Sequence, residues 1–426
     1  GQRSRLLATP MLASLANRIY EITGDQSFIR EVFPFLLAFL HAWFLEERDR
    51  DKDGIPEWEH PMQAGFDDHP LFAHWHPGCQ GANITTAESP ALCAFLYREC
   101  QTLIRFAGLL DQQEPIPALM ALADHLRNVV EVSWDTEEST YRYWDRDSHY
   151  CTRQETLGER IGPGEMNIQR QFEHPVRLLV RITLDGESTR RPHLFIHGSG
   201  ISGQHVVERI LHDGFQWSIG HGTATSERVY SALERVEIHG LDANDTVLLQ
   251  SVNYHILDHT LLLPLWAGIP SVERAQALVE RTIVCPERFW RPHGLPACTE
   301  PLPGCENEFC QRVYLPWNYL IGKGLLNYGY RNEAAALVSR LMSGIIKTLK
   351  KEQAFRQYYH AETGQGIGER NSLEGLAPVG LFLEILGVRL FSPQKVALQG
   401  VNPFPWPVTV KYRGLVVLRQ LDKTVI

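Results

Sequence analysis

Apolar and polar positions first alternate with a helical period. Met11, Leu12, Leu15, Ile19 and Ile22 lie on one stripe, and Gly24 ends the run. Gln26 to Glu47 continues as a longer helix with few polar interruptions, a pattern that predicts burial on most sides. A polar stretch rich in turn formers follows at 49–72. Residues 86–111 and 115–134 then read as a helical pair. From about residue 138 the pattern shortens to β-branched and aromatic runs punctuated by Gly and Asp: 177–186, 193–197, 215–219, 235–239 and 246–249. This predicts a β-rich insertion at 138–254, arranged as a small sandwich. Helices are expected again at 271–283, 313–328, 331–351 and 372–386. A hairpin is expected at 408–412 and 415–418, after Pro403, Pro405 and Pro407 break the helical pattern.

The expected division is therefore 1–137, helical; 138–254, the insertion; 255–392, helical; and 393–426, a terminal hairpin that has no obvious partner sheet. The chain has 426 residues, 44% hydrophobic and 21% charged, which suits one large core or two smaller ones. A net charge of −9 without a basic stripe argues against nucleic acid as a partner. The most apolar run, Phe33 to Leu45, carries Pro34 and His41 and is too short for a membrane span. No cofactor and no membrane are expected, and the oligomeric state is left open. The eight cysteines are scattered. Cys298, Cys305 and Cys310 share a Pro/Gly-rich loop without a C-x-x-C pair, so free thiols in a cytoplasmic protein are expected rather than zinc.

The chemistry gathers in residues 49–72, with Asp49, Asp51, Asp53, Glu57, Glu59, Asp67 and Asp68 beside Trp58, Phe66 and Phe72. A solvated helix–helix loop with an Asp/Gly turn explains part of this. Carboxylates among aromatics also suit a sugar-cleaving site: rings stack on a pyranose, and a protonated carboxyl donates to the glycosidic oxygen. The wording D-x-D-x-D-G-I-P-E-W, followed by G-F-D-D-x-P, resembles the signature loop of the family 63 glycoside hydrolases. That family implies an inverting α-glycosidase on an (α/α)6 toroid, mainly α, with the β-rich segment inserted. It also implies Asp67 as general acid, its pKa raised by burial against Phe66 and Trp58 and by the charge of Asp68, with Asp68 as the fallback. About nine helices are readable outside the insertion, against twelve in the toroid, and the N-terminal part of the barrel is expected to be missing.

Two later loops resemble the family's pocket rim: Phe289-Trp290-Arg291-Pro-His293, and Val313-Tyr-Leu-Pro-Trp317-Asn318-Tyr319. Each Trp there is equally readable as core packing. The segment Phe355-Arg-Gln357-Tyr358-Tyr359 resembles the family's F-x-E-x-Y, whose Glu is the general base. Here the position is Gln357, and an amide cannot take a proton from water near neutral pH. Three readings are open: a Glu→Gln replacement that traps substrate, a natural sugar-binding pseudo-enzyme, or a takeover by Glu362 or Glu369. The expected site is thus Asp67 and Gln357 for catalysis, about 6.5–9.5 Å apart, with Trp58, Phe66, Asp68, Trp290, Arg291, Trp317, Asn318 and Tyr358 around a carbohydrate. Asp49, Asp51, Asp53 and Gly54 match the first half of a calcium loop, but its twelfth position is His60, and no metal is assigned. The expected function is hydrolysis of an α-linked glucose or mannose, impaired by Gln357. The alternative is a non-catalytic carbohydrate-binding or assembly protein.

Overall fold

The computed structural model describes residues 6–66, 68–76, 78–186, 190–299, 309–392, 395–412 and 414–426. The helices are α1 (Leu12–Thr23), α2 (Gln26–Ala42), α3 (Pro90–Leu109), α4 (Ile116–Val132), α5 (Leu263–Ala267), α6 (Val272–Leu278), α7 (Leu315–Asn327), α8 (Arg331–Glu352) and α9 (Val379–Ile385). Gly24 closes α1 in the left-handed region, at φ 67°, where its N–H reaches the Tyr20 carbonyl. Asp25 then caps α2, its carboxylate accepting from the N–H groups of Ser27 (2.9 Å) and Phe28 (3.2 Å).

Helix α3 is the centre of the helical body and packs against α1, α2, α4 and α5. It buries residues all round, from Leu92 and Phe95 to Cys100, Leu103 and Phe106. The all-round burial expected of α2 belongs to α3 instead. Helix α2 buries one stripe, Ile29, Phe33, Leu36 and Leu40, and leaves Phe35 74% exposed. Hydrophobic content alone does not say which faces find a partner. From α5 the packing continues to α7, then to α8 and α9. The antiparallel pair Val388–Ser392 and Lys395–Leu398 follows, and its first strand returns to α1. The helix expected from Ser372 is shorter than its apolar pattern. Pro378 disfavours helical geometry at Ala377, so a 3₁₀ turn (Leu373–Gly375) precedes α9.

About 35% of the chain is helical and 27% strand, so strands take a larger share than a mainly α chain implies. Most of the strand residues lie in one antiparallel sheet of seven: β1 (Thr156–Ile161), β2 (Gly164–Thr183), β3 (His193–Gly200), β4 (His205–Ile210), β5 (Gln216–Ser218), β6 (His221–His239) and β7 (Thr246–Ser251). The expected sandwich is replaced by this single sheet. Strands β2 and β6 are 20 and 19 residues long and pair along most of their length. Register shifts between Thr225 and Val229, Tyr230 and Ala232, and Leu233 and Arg235 divide that pairing into two halves. β7 and β5 join the first half, β3 and β4 the second. Bulges bend strands and let one sheet turn a corner. Side chains of both halves, among them Val180, Ile182, Leu194, Ile196, Val236 and Leu249, meet in one core separate from that of the helices. Further along lie β8 (Arg312–Val313), β9 (Arg356–His360) and β10 (Gly366–Arg370), paired in that order. The expected terminal hairpin is β11 (Val408–Tyr412) and β12 (Leu415–Arg419), and β13 (Thr424–Val425) adds a third strand to it.

The sheet is fastened to the helical body through Arg177 on β2, which is fully buried. Its guanidinium binds the carboxylates of Asp145 and Asp147, and its Nη1 donates to the carbonyls of Ser226 (2.9 Å) and Glu227 (2.7 Å) on β6. Tyr254 donates from its hydroxyl to Asp145 (3.1 Å). Burial works against the charge on Arg177, but the two carboxylates outweigh it and raise its pKa. Removing one partner of such a network leaves a buried, uncompensated charge, at a cost of about 3–5 kcal/mol. Arg177→Met is therefore expected to lower unfolding free energy by about that amount in a urea titration. A loss below about 1 kcal/mol would show that Asp145 finds other partners.

Candidate active site

The first half of the acidic loop is held by internal pairing. Gly54 N–H bonds Asp49 (3.2 Å), Ile55 N–H bonds Asp53 (2.8 Å), Arg50 pairs with Glu57 (2.9 Å), and Arg48 with Glu59 (2.7 Å). Lys52 and Gly54 adopt positive φ, 66° and 89°, which makes this stretch a tight turn. Burial pushes the Glu57 carboxyl up to about 8, against the pull of Arg50. Beneath the turn, the His149 imidazole lies 3.8 Å from Asp51, 3.3 Å from Asp53 and 3.4 Å from the buried Glu88. The three carboxylates raise its pKa to about 12, so an imidazolium offsets part of the cluster's negative charge. Asp51, Asp53, Glu88 and His149 each offer one ligand atom, all within 4.8 Å of one another, and among the described residues they are the group with metal-ligand spacing. This turn accounts for most of the loop's carboxylates as structure. Nothing in the sequence near residue 49 points to His149 or Glu88.

The second half of the loop approaches the later segments. Asp67, the expected acid, lies outside the described residues. Its neighbour Asp68 forms an ion pair with Arg312 on β8 and accepts from Trp75 Nε1 (3.3 Å). The Arg312 guanidinium stands 5.4 Å over the Tyr358 ring, and Tyr358 packs on Tyr314 at 4.5 Å. Tyr314 meets Phe66 at 5.0 Å, and Phe66 stacks on His259 at 4.6 Å. Trp317 donates from Nε1 to the Gly65 carbonyl (3.2 Å). A Cβ at Gly65 would come within 2.8 Å of that indole, so glycine is what lets the loop lie on it. The structure thus brings Phe66, Asp68, Trp317 and Tyr358 together, with Arg312, Tyr314 and His259 as members the sequence reading missed. Two of these had a legible signal: Arg312 immediately precedes the segment Val313–Tyr319, and Tyr314 lies within it.

Other expected residues lie elsewhere. Trp58 is 2% exposed and packs edge-on against Trp43. Asn318 is fully buried: Oδ1 accepts from Leu295 N–H (2.8 Å), and Nδ2 donates to the carbonyls of Leu295 and Tyr314 (3.0 Å each). These bonds hold α7 to the 295 loop. Trp290 lies 4.7 Å under the Arg340 guanidinium of α8, and Arg291 pairs with Glu362 at 3.4 Å. Gln357 sits on β9 at the register shift between Arg356 and Tyr358, opposite Gly368 at φ 78°. A bulge of this kind re-aims one side chain. The carboxylate it meets is Glu374, at 3.1 Å, rather than Glu362 or Glu369.

Under the loop runs a buried hydrogen-bond chain. Leu71 N–H donates to His69 Nδ1 (3.2 Å), which leaves the proton on Nε2, facing the Tyr143 hydroxyl at 3.0 Å. Tyr143 donates to Asp258 (2.8 Å), and Asp258 also accepts from Thr260 N–H (2.8 Å) and Oγ1 (2.6 Å). Burial holds His69 well below its usual pKa and therefore neutral. Nearby, Cys298 and Cys310 form a disulfide, Cα–Cα 4.8 Å, where free thiols were expected. The chain doubles back there, Cys298 N–H reaching the Cys310 carbonyl at 3.3 Å, a return the spacing alone does not announce. Among the described residues Cys93, Cys100, Cys151 and Cys285 are free, and no helix is long and apolar enough to cross a membrane.

Burial pushes the Asp258 carboxyl up to about 6, against the hydrogen bonds from Thr260 and Tyr143. Its folded pKa thus exceeds the unfolded value near 3.9, so the stability it contributes is complete below that value and is lost as pH rises through 6. Between pH 5 and 7.5 the wild-type protein should lose about 1 kcal/mol relative to Asp258→Asn. Urea titrations of both proteins across that range measure this difference, and a change of opposite sign would place a stabilised carboxylate at 258.

Residues 1–162 match the sequence model of the mannosylglycerate hydrolase MGH1-like glycoside hydrolase domain. A mannosylglycerate hydrolase of Thermus thermophilus is 33% identical over 110 residues, 25% of this chain and 24% of that protein, so the match spans about a quarter of that relative's length. The crystal structure of a family 63 mannosylglycerate hydrolase from Thermus thermophilus in complex with glucose superposes with a TM-score of 0.54. The two are 18% identical over 90% of this chain and 76% of that one. A structure named as a sialidase superposes with a TM-score of 0.57 at 12% identity, over 97% of this chain and 30% of that one. At these identities the superpositions speak for the fold alone. The acidic loop lies inside the matched segment, so over residues 1–162 the chain is similar to the mannosylglycerate hydrolase MGH1-like glycoside hydrolase domain.

Proposed function

We propose that this protein hydrolyses an α-linked glucose or mannose with inversion, on a toroid of paired helices. Asp67 is the acid, and turnover is lowered by Gln357 at the base position. The observation that carries the reading is the convergence of Asp68, Arg312 and Tyr358. It sets the residue after the proposed acid against the residue after Gln357, joined by one guanidinium. Arg312 and Asp68 supply charged groups for sugar hydroxyls, and Tyr358 with Tyr314 supplies ring faces for the pyranose. Trp290 and Arg291 form a more distant rim. The named relative makes mannosylglycerate the first substrate to try. In this reading residues 1–137 and 255–392 carry the site, 138–254 is the inserted sheet, and 393–426 is a terminal unit.

Gln357 itself favours a second reading, a carbohydrate-binding protein that no longer cleaves. Proton NMR of the sugar released from mannosylglycerate, glucosylglycerate and 4-nitrophenyl α-glucoside separates the two. Hydrolysis with inversion gives the β-anomer first. Gln357→Glu should raise turnover by about 10²–10⁴-fold, and Asp67→Asn should abolish that gain. Saturable sugar binding with no release from wild type or Gln357→Glu would put the binding protein in place of the hydrolase.

A further inference from the structure

We propose that Glu374 is the carboxylate that takes the proton from the attacking water in the unaltered protein, in place of the missing acid group at 357. The proposal rests on the hydrolase reading above and adds a residue to it. Gln357 Nε2 donates to Glu374 Oε2 at 3.1 Å, which sets a carboxylate one hydrogen bond from the base position. A carboxylate only accepts, so the amide must turn its NH₂ side to Glu374 and its oxygen away. That oxygen can hold a water by accepting from it, but it cannot deprotonate it. Among the described residues Glu374 has no ion pair, so its remaining lone pairs are open to solvent.

The position of Glu374 is fixed by its surroundings. It stands in the 3₁₀ turn Leu373–Gly375, which Ser372 caps. The Tyr359 hydroxyl donates to the Gly375 carbonyl at 3.1 Å, and a Cβ at Gly375 would collide with the Arg356 carbonyl. Only glycine allows the turn to lie this close to β9, the strand that carries Gln357. Glu374 also lines a groove of about 280 Å³ with Leu315, Pro316 and Tyr319, the start of the helix that follows Tyr314. The carboxylate therefore borders both Gln357 and the first turn of α7, which follows Tyr314 in the chain.

The step balances as a single displacement. The water oxygen bonds to the anomeric carbon as the glycosidic C–O bond breaks. The water proton passes to Glu374, and the leaving oxygen takes a proton from the general acid of the proposed mechanism. Because the base is offset by one residue's hydrogen bond, turnover is lower than with a carboxylate at 357 itself.

The test is a two-by-two set in the full chain: wild type, Glu374→Gln, Gln357→Glu, and both together, with mannosylglycerate and 4-nitrophenyl α-glucoside. Wild type should show slow hydrolysis whose kcat falls by about 10²–10⁴-fold in Glu374→Gln with KM little changed. In the Gln357→Glu background the same replacement should cost little. Azide added to Glu374→Ala should restore turnover and yield the β-glycosyl azide, which a merely structural role for Glu374 would not produce. Thermal melts of the variants should match wild type, since Glu374 is exposed. If wild type is active and Glu374→Gln is equally active, the assignment is wrong while the hydrolase reading stands. An inert wild type with an active Gln357→Glu likewise overturns the assignment and leaves the hydrolase reading standing. If all four proteins are inert, both readings fall.

Discussion

The buried charge of Arg177 is the constraint on which the relation between sheet and helices depends. One guanidinium binds two carboxylates of the 145–147 turn and two carbonyls of β6, while Asp145 also receives Tyr254. The same turn touches the helical side, because Arg146 N–H reaches the Thr86 carbonyl at 3.0 Å and Tyr254 lies against that carbonyl too. Glu88 and His149 lie on either side of the same junction, and through them the acidic loop at 49–59 is held in place. A desolvated ion network of this kind adds little net stability compared with apolar packing, but it tolerates few geometries. It sets the orientation of the sheet and, through the loop, the approach of Asp68 to Arg312.

Much of this was legible along the chain where local physics decides. Gly24 and Asp25 mark the α1–α2 boundary because left-handed backbone and a capping carboxylate act within three residues. Runs such as 193–197, 235–239 and 246–249 are strands because alternating branched side chains fit a pleated surface. What failed depended on distant partners. Helix α2 carries as much apolar surface as a buried helix, yet Phe35 meets solvent. Pro378 was visible and should have shortened the last helix. Trp58 and Asn318 fitted a motif for a sugar pocket, while their atoms are engaged by Trp43 and by the Leu295 backbone.

The candidate site follows the same division. Motif wording pointed to the loop and to the strand of Gln357, since both are continuous in sequence. Arg312, Tyr314 and His259 join them only through the pairing of β8 with β9 and the packing of Phe66. His69 reads as an ordinary loop histidine until Tyr143 and Asp258, more than 70 and 180 residues away, are placed beneath it. A neutral imidazole there is a consequence of burial, which composition does not reveal.

The two long strands β2 and β6 have a consequence for how the sheet opens. Each belongs to both halves, so the halves share two unbroken backbones although the register shifts between Thr225 and Arg235 interrupt their pairing. Opening of one half therefore pulls on the other through the covalent chain, whereas the outer strand β4 pairs with β3 and can fray alone. The bulges thus bend the sheet without cutting it, and Arg177, paired with Val229 at the bend itself, grips the strands common to both halves.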